Sequence, residues 1–327
     1  DFLVGHTFAA FLYSFSCFAE KECRFLVIDG YFAHNYGDRI LYNVICFEKI
    51  WYKHLSLKNM NAKDLKFVVQ EKYGEIDKQS KKQNETSCCG VGSSCCTIDY
   101  AVFAESYDKE KGYNPDADLG LGCGIPTQFA TIKSGDSVLD LGSGAGNDCF
   151  VARAIVGESG KVTGIDFTDA MLEKARTNNA KLGFSNVEFV KGDIEAMPLA
   201  NNQFDVIVSN CVLNLVPDKN KAFAEMLRVL KPGGHFCVSD VVTKGELPEK
   251  LQKDAEMYAG CVSGAIDIDD YIGIINTTGF VQVEIHKQKE VLIPEEILKN
   301  YLTDAELETF RKGEKGIYSI TISAKKP

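Results

Sequence analysis

Ser137-Val-Leu-Asp140-Leu-Gly142-Ser143-Gly144-Ala-Gly146 is the stretch on which the fold turns. Ser137–Leu141 is a short, mostly apolar run that stops at a glycine, the form of a buried strand ending in a turn. Asn147–Val156 then reads as a helix. Glycines at 142, 144 and 146 let the backbone bend sharply and approach a ligand with no Cβ in the way. Twenty residues beyond Gly146, closing the next apolar run, stands Asp166, where a carboxylate can accept both hydroxyls of an adenosine ribose. Turn, strand, helix and acid stand in register, so the segment predicts a nucleotide-binding βαβ unit.

Outward from this unit the same alternation continues. Residues 161–165, 187–190, 204–209 and 235–239 read as strands, and residues 170–182 and 219–230 as helices. That order implies an α/β chain with a doubly wound parallel sheet and ligands at the carboxyl ends of its strands. Pro232-Gly233-Gly234 is read as a plain turn. Beyond Asp240, helices near 248–258 and 269–277 and strands near 281–285 and 317–323 make a smaller α+β part. Upstream, residues 63–72 read as an amphipathic helix, and 77–87 as a polar linker leading into Cys88-Cys89-Gly-Val-Gly-Ser-Ser-Cys95-Cys96.

Residues 1–59 differ from the rest, with crowded aromatics (Phe8, Phe11, Tyr13, Phe15, Phe18) and no basic start or clear cleavage site of a signal peptide. They are expected to be a non-native or disordered leader, with Met60 as the start. The expected layout is then residues 60–119 for the N-terminal helix and cysteine-rich linker, 120–242 for the nucleotide-binding domain, and 243–327 for the substrate side.

With 36 basic against 46 acidic residues the net charge is −10, which argues against nucleic acid and acidic lipid as partners. Outside the first stretch no run of about 18 uncharged apolar residues suggests a membrane span. The twelve cysteines are scattered through an α/β pattern rather than packed into a short secreted scaffold. Thiol chemistry in a reducing cytoplasm is the expectation.

The dinucleotide fingerprint wants a third glycine at 147, where this chain has Asn147. Gly142-Ser143-Gly144-Ala145-Gly146 resembles instead the first motif of class I S-adenosylmethionine-dependent methyltransferases, and Leu230-Lys231-Pro232-Gly233-Gly234 is also typical of them. A dinucleotide-binding domain is the competing reading. The resemblance implies a Rossmann-like methyltransferase fold, with the adenine held near Asp193 and Ile194. The cofactor residues expected are Asp140, Gly142, Ser143, Gly144, Gly146, Asp166, Phe167, Met171, Asp193, Ile194 and Asn210.

Three cysteines fall where substrate chemistry could occur. Cys211 follows the fourth strand beside the topological switch point, Cys123 lies in a glycine loop before the first strand, and Cys261 sits among small residues after the fifth. Cys149 and Cys237 fall on a helix and a strand and read as core. Gly122-Cys123-Gly124, Ser209-Asn210-Cys211-Val-Leu-Asn-Leu-Val-Pro-Asp218 and Cys261-Val-Ser-Gly-Ala265, with Asn147-Asp148-Cys149 after the glycine turn, resemble the arsenite methyltransferases over about residues 61–327.

That resemblance implies that Cys123, Cys211 and Cys261 bear on trivalent arsenic, in a detoxifying methyl transfer. Soft thiolates suit such a centre. Arsenic held by three sulfurs keeps its lone pair, so it can attack a sulfonium methyl with no proton to remove, and catalysis is mostly positioning. Arsenite or its thiol conjugates would be the substrate. A further family cysteine corresponds to one of Cys88, Cys89, Cys95 or Cys96, which could close a disulfide to re-reduce oxidised arsenic, with thioredoxin or glutathione as reductant. Of the histidines beyond residue 59, His235 and His286, neither lies in a promising motif. Two rival readings stand beside this one: a methyltransferase of another small oxygen, carbon or sulfur acceptor, and a thiol protein that sequesters arsenic without catalysis.

Overall fold

Why Ser137–Leu141 becomes a central strand is plain from its burial, since four of its five residues are out of solvent. In the computed structural model, which describes residues 61–76, 105–245, 264–291, 295–299, 302–313 and 315–327, this run is β1. It is followed by β2 (Lys161–Asp166), β3 (Val187–Lys191), β4 (Phe204–Asn210), β5 (Leu230–Lys244), β6 (Val281–Glu290) and β7 (Gly316–Lys325). The seven form one sheet in the order β3-β2-β1-β4-β5-β7-β6. β1 pairs in parallel with β2 on one side and β4 on the other, so the winding reverses at the ends of β1 and β4. That reversal opens a crevice at the carboxyl edge.

The helices are α1 (Ala62–Ile76), α2 (Asn147–Val156), α3 (Asp169–Leu182), α4 (Lys219–Val229), α5 (Ile268–Thr278), the single turn α6 (Glu295–Leu298) and α7 (Asp304–Arg311). α2 and α3 cover one apolar layer that holds Val138, Phe150, Val162, Met171 and Leu172. α4 and α5 cover another, where Phe236 meets Phe280 edge-on at 4.8 Å and Phe223 meets Tyr271 at 5.6 Å. A third cluster lies over the carboxyl edge and gathers Val69 of α1, Cys123, Cys211, Leu215, Leu298 and Leu307. No helix among the described residues is long and apolar enough to cross a membrane.

Three local expectations are corrected. The sheet is mixed rather than parallel throughout, because β7 runs antiparallel to both neighbours. Its ten partners carry β5 on from the expected end at 239 to Lys244, well past the end of β4, while pairing of Leu230 with Phe204 of β4 sets the earlier start. The segment Lys231-Pro232-Gly233-Gly234 is not a free turn but a bulge inside β5, where the register steps from Phe204↔Leu230 to Val206↔His235. Asp205 pins the bulge by accepting from Lys231 at 2.7 Å, and the Gly233 amide donates to the Lys326 carbonyl at 3.1 Å. The helix expected near 248–258, the leader, the cysteines 88–96 and Cys261 lie outside the described residues.

Candidate active site

The glycine turn after β1 forms one wall of an open cleft of about 1160 Å³, solvent-facing space included, at the carboxyl edge of β1, β2 and β4. Its backbone is left-handed at Gly142 (φ +64°) and Gly144 (φ +51°). A Cβ on Gly142 would lie 2.5 Å from Val212, so glycine is required there for packing as well as conformation. The Gly144 amide donates to Asp166 Oδ2 at 3.0 Å, and the Thr168 amide donates to Oδ1 at 2.8 Å. One carboxylate thus ties the first turn to the second. Gly146 caps α2 at φ +97°.

Asp140, Gly142, Ser143, Gly144, Asp166, Phe167, Met171, Asp193, Ile194 and Asn210 all line the cleft. The Ser143 hydroxyl is buried there and has no hydrogen-bond partner among the described residues. Residues outside those expected join them. From α1, Lys66 reaches over the cleft to donate to Asp193 at 2.5 Å and to pair with Glu195, and Tyr73 lies beside it. Tyr107, Asp118, Leu121 and Asp148 complete the wall. Nothing local in the sequence marks Tyr107 or Lys66, whereas Asp148, two residues past the glycine motif, is marked as an acid in the first turn of α2.

Burial dominates the carboxyl groups. It pushes Asp148 up to about 6, against the stabilising hydrogen bonds from Tyr107 and Asn210. Asp140 is raised well above its ordinary value by burial and by its neighbour Asp148. The Cys149 thiol donates to Asp140 at 3.2 Å, and burial pushes that thiol well up. Cys149 is therefore a core residue that also steadies a cleft carboxylate, and Cys237, pushed by burial to about 12, is equally unreactive.

Cys211 takes a left-handed backbone (φ +59°), uncommon for a residue with a side chain, and its amide donates to the Ser239 carbonyl at 2.7 Å. It lines the cleft, and Cys123 is buried with it in the same apolar cluster. Both thiols also lie near enough to Tyr271 to raise its hydroxyl, after burial and Asp240. The structure thus places two of the three expected cysteines in one buried cluster, Cys211 on the cleft wall and Cys123 behind it, and Cys261 lies outside the described residues. His235 bonds the Ala130 carbonyl at 2.6 Å, His286 stacks on Phe129 at 5.3 Å, and neither lines the cleft.

A family model described as a methyltransferase domain matches residues 132–297. An arsenite methyltransferase of Halobacterium salinarum is 39% identical over 275 residues, covering 80% of this chain and 66% of that protein. One from Aquipseudomonas alcaligenes is 34% identical over 244 residues, covering 72% and 68%. The chain belongs to the arsenite methyltransferase family. A crystal structure of an arsenic(III) S-adenosylmethionine methyltransferase from Chlamydomonas reinhardtii, 38% identical, superposes with a TM-score of 0.52 over 62% of this chain and 66% of that one. The chain spans about two thirds of the length of these relatives. Membership in this family sets the class I methyltransferase fold and removes the dinucleotide-binding reading.

Below the family's cleft, Asp240 of β5 is 1% exposed and accepts from Tyr271 at 3.1 Å. Burial raises it to about 7, with Lys219 opposing. A folded value above the unfolded one, 3.8, means that stability is fullest below pH 4 and is lost as pH rises through 7. Asp240→Asn is expected to stabilise the fold by about 2–4 kcal/mol at pH 8, with the gain shrinking toward pH 5. Urea unfolding of both proteins across that range checks it, and a gain independent of pH contradicts it.

Proposed function

We propose that this protein methylates trivalent arsenic, with Cys123, Cys211 and Cys261 as the sulfur ligands of the substrate and S-adenosylmethionine as methyl donor. The observation that carries the reading is the burial of Cys123 and Cys211 in one cluster, with Cys211 also lining the cleft beside the glycine turn. The cleft suits the donor: the Ser143 hydroxyl is buried without a partner among the described residues, and a Cβ on Gly144 would point into open space. Bound there, S-adenosylmethionine supplies an electrophilic methyl on a sulfonium.

The residues have separable tasks. Asp166, already fixed by two backbone amides, presents its remaining lone pairs for ribose hydroxyls, and Asp193 and Ile194 take the adenine end. Gly144, with open space where a Cβ would stand, leaves room for the methionine end, with Asp140, Phe167 and Met171 around it, whereas a Cβ at Gly142 or Gly146 would meet Val212 or the Phe150 and Phe189 rings instead. The cysteines displace the three hydroxides of arsenous acid as three waters, so thiol protons leave with the oxygens. No proton leaves arsenic during transfer, and the site needs orientation rather than a base. Thiols in the 88–96 segment, recharged by thioredoxin or glutathione, would return oxidised arsenic to the trivalent state. Such chemistry fits a reducing cytoplasm and a detoxifying role.

Asp148, poised near pH 6, is the feature that favours a different acceptor, since a base of that strength serves oxygen or carbon methylation. Against it, the Asp148 carboxylate already accepts the one Tyr107 hydroxyl hydrogen, with the hydroxyl oxygen 2.8 and 3.0 Å from its two oxygens. The test is turnover with S-adenosylmethionine, arsenite and a thiol reductant, read as methylated arsenic by mass spectrometry. Arsenite bound but never methylated would leave a sequestering protein. Absence of both binding and product would turn attention to phenolic and carbon acceptors.

A further inference from the structure

Asn210 ends β4 one residue before Cys211, and its carboxamide is turned onto the loop that carries Cys123. Oδ1 accepts the Cys123 backbone N–H at 3.0 Å. Nδ2 donates to the Gly124 carbonyl at 2.8 Å and to the Tyr107 hydroxyl at 2.7 Å. Tyr107, 4% exposed, in turn donates a hydrogen bond to Asp148. From the other side, the Ser319 hydroxyl of β7 donates to the Cys123 carbonyl. The fit is close: a Cβ on Gly122 would lie 2.5 Å from Asn210 Nδ2, and one on Gly124 would lie 2.5 Å from Ser239 Oγ.

A carboxamide has two donor hydrogens, and here both are spent within the protein. Asn210 therefore lines the cleft with no donor to offer a ligand. A loop flanked by two glycines would otherwise be free to move its sulfur, whereas a centre bridged by several thiolates tolerates little error in their spacing.

We propose that Asn210 is a positioning residue for the thiol pair: its carboxamide fixes the Cys123 loop against Cys211, and Tyr107 and Asp148 fix the carboxamide. This assigns it a task other than the cofactor contact expected from the sequence, and it rests on reading Cys123 and Cys211 as arsenic ligands. Tyr107 needs an acceptor at Asp148, so ionised Asp148 completes the chain of hydrogen bonds, in keeping with a carboxyl that is charged above about pH 6.

The test compares the full chain with Asn210→Ala and Tyr107→Phe. Arsenite and S-adenosylmethionine affinities are measured by calorimetry, and Cys123–Cys211 bridging by dibromobimane is mapped by peptide mass spectrometry. Groups that orient a metal's ligands are worth about 10- to 100-fold in affinity. Asn210→Ala should weaken arsenite at least about 10-fold while S-adenosylmethionine affinity changes by less than about 2-fold. Tyr107→Phe, which removes one oxygen, should show a smaller loss of the same kind, and bridging should fall in both. Loss of S-adenosylmethionine affinity with arsenite binding intact would overturn the assignment, as would equal losses of both ligands or unchanged bridging. If the parent bridges but binds no arsenite, and bridging falls in the variants, the positioning stands and the arsenic reading fails.

Discussion

Cys211→Ser is expected to cut arsenic methylation by at least about 100-fold, because removal of a ligand should cost no less than disturbing the groups that merely orient one. The substitution is a clean one. Serine has nearly the volume of cysteine, can adopt the same left-handed backbone (φ +59°), and keeps the amide that donates to the Ser239 carbonyl. What changes is the donor atom. A hydroxyl is a hard ligand that remains protonated at neutral pH, while trivalent arsenic prefers soft sulfur. S-Adenosylmethionine affinity should stay near that of the parent, since the glycine turn and Asp166 are untouched. Single-turnover product and cofactor binding, measured side by side, decide the matter. Methylation within a few-fold of the parent would remove Cys211 from the substrate site.

The second large effect is expected at the other end of the cleft. Asp166→Ala should weaken S-adenosylmethionine by about 100-fold or more, because hydrogen bonds to a charged acceptor contribute about 1.5–3 kcal/mol each. Two such bonds to a ribose account for that loss. Asp166 also accepts from the Gly144 and Thr168 amides, so its removal loosens the turn it faces. Arsenite affinity measured without the cofactor separates the two substrates and should hold. A cofactor affinity unchanged by the substitution would place the ribose elsewhere in the cleft. Burial raises the Asp166 carboxyl above its ordinary range, countered by the Thr168 and Gly144 amides, so any fall in cofactor binding at acid pH should begin above the usual carboxylate range.

Much of this site was legible because its first half is built from local signals. Apolar runs that end in glycine or aspartate locate β1 and β2 to within a residue, and the spacing from Gly146 to Asp166 follows from one helix and one strand. The carboxyl-edge position of Cys211 follows from the length of β4. What stayed hidden depends on distant partners. β5 runs past Ser239 because β7 lies beside it, and no local feature of residues 240–244 announces that pairing. The bulge at 231–234 reads as a turn in sequence because glycine and proline serve both. Lys66 meets Asp193 across 127 residues of chain, and Tyr107 meets Asp148 and Asn210 from a stretch without periodicity. α7, by contrast, carries a local signal, the capping box of Thr303 and Glu306.

The place of β7 between β5 and β6, though it follows both in the chain, has a consequence for biosynthesis. Ser319, which holds the Cys123 carbonyl, is synthesised 196 residues after it. At 5–20 residues per second the ribosome needs roughly 10–40 s to cover that distance. For that interval the nascent polypeptide carries Cys123 without its final anchor, at the stage when a thiophilic toxin can capture it before the fold closes around it.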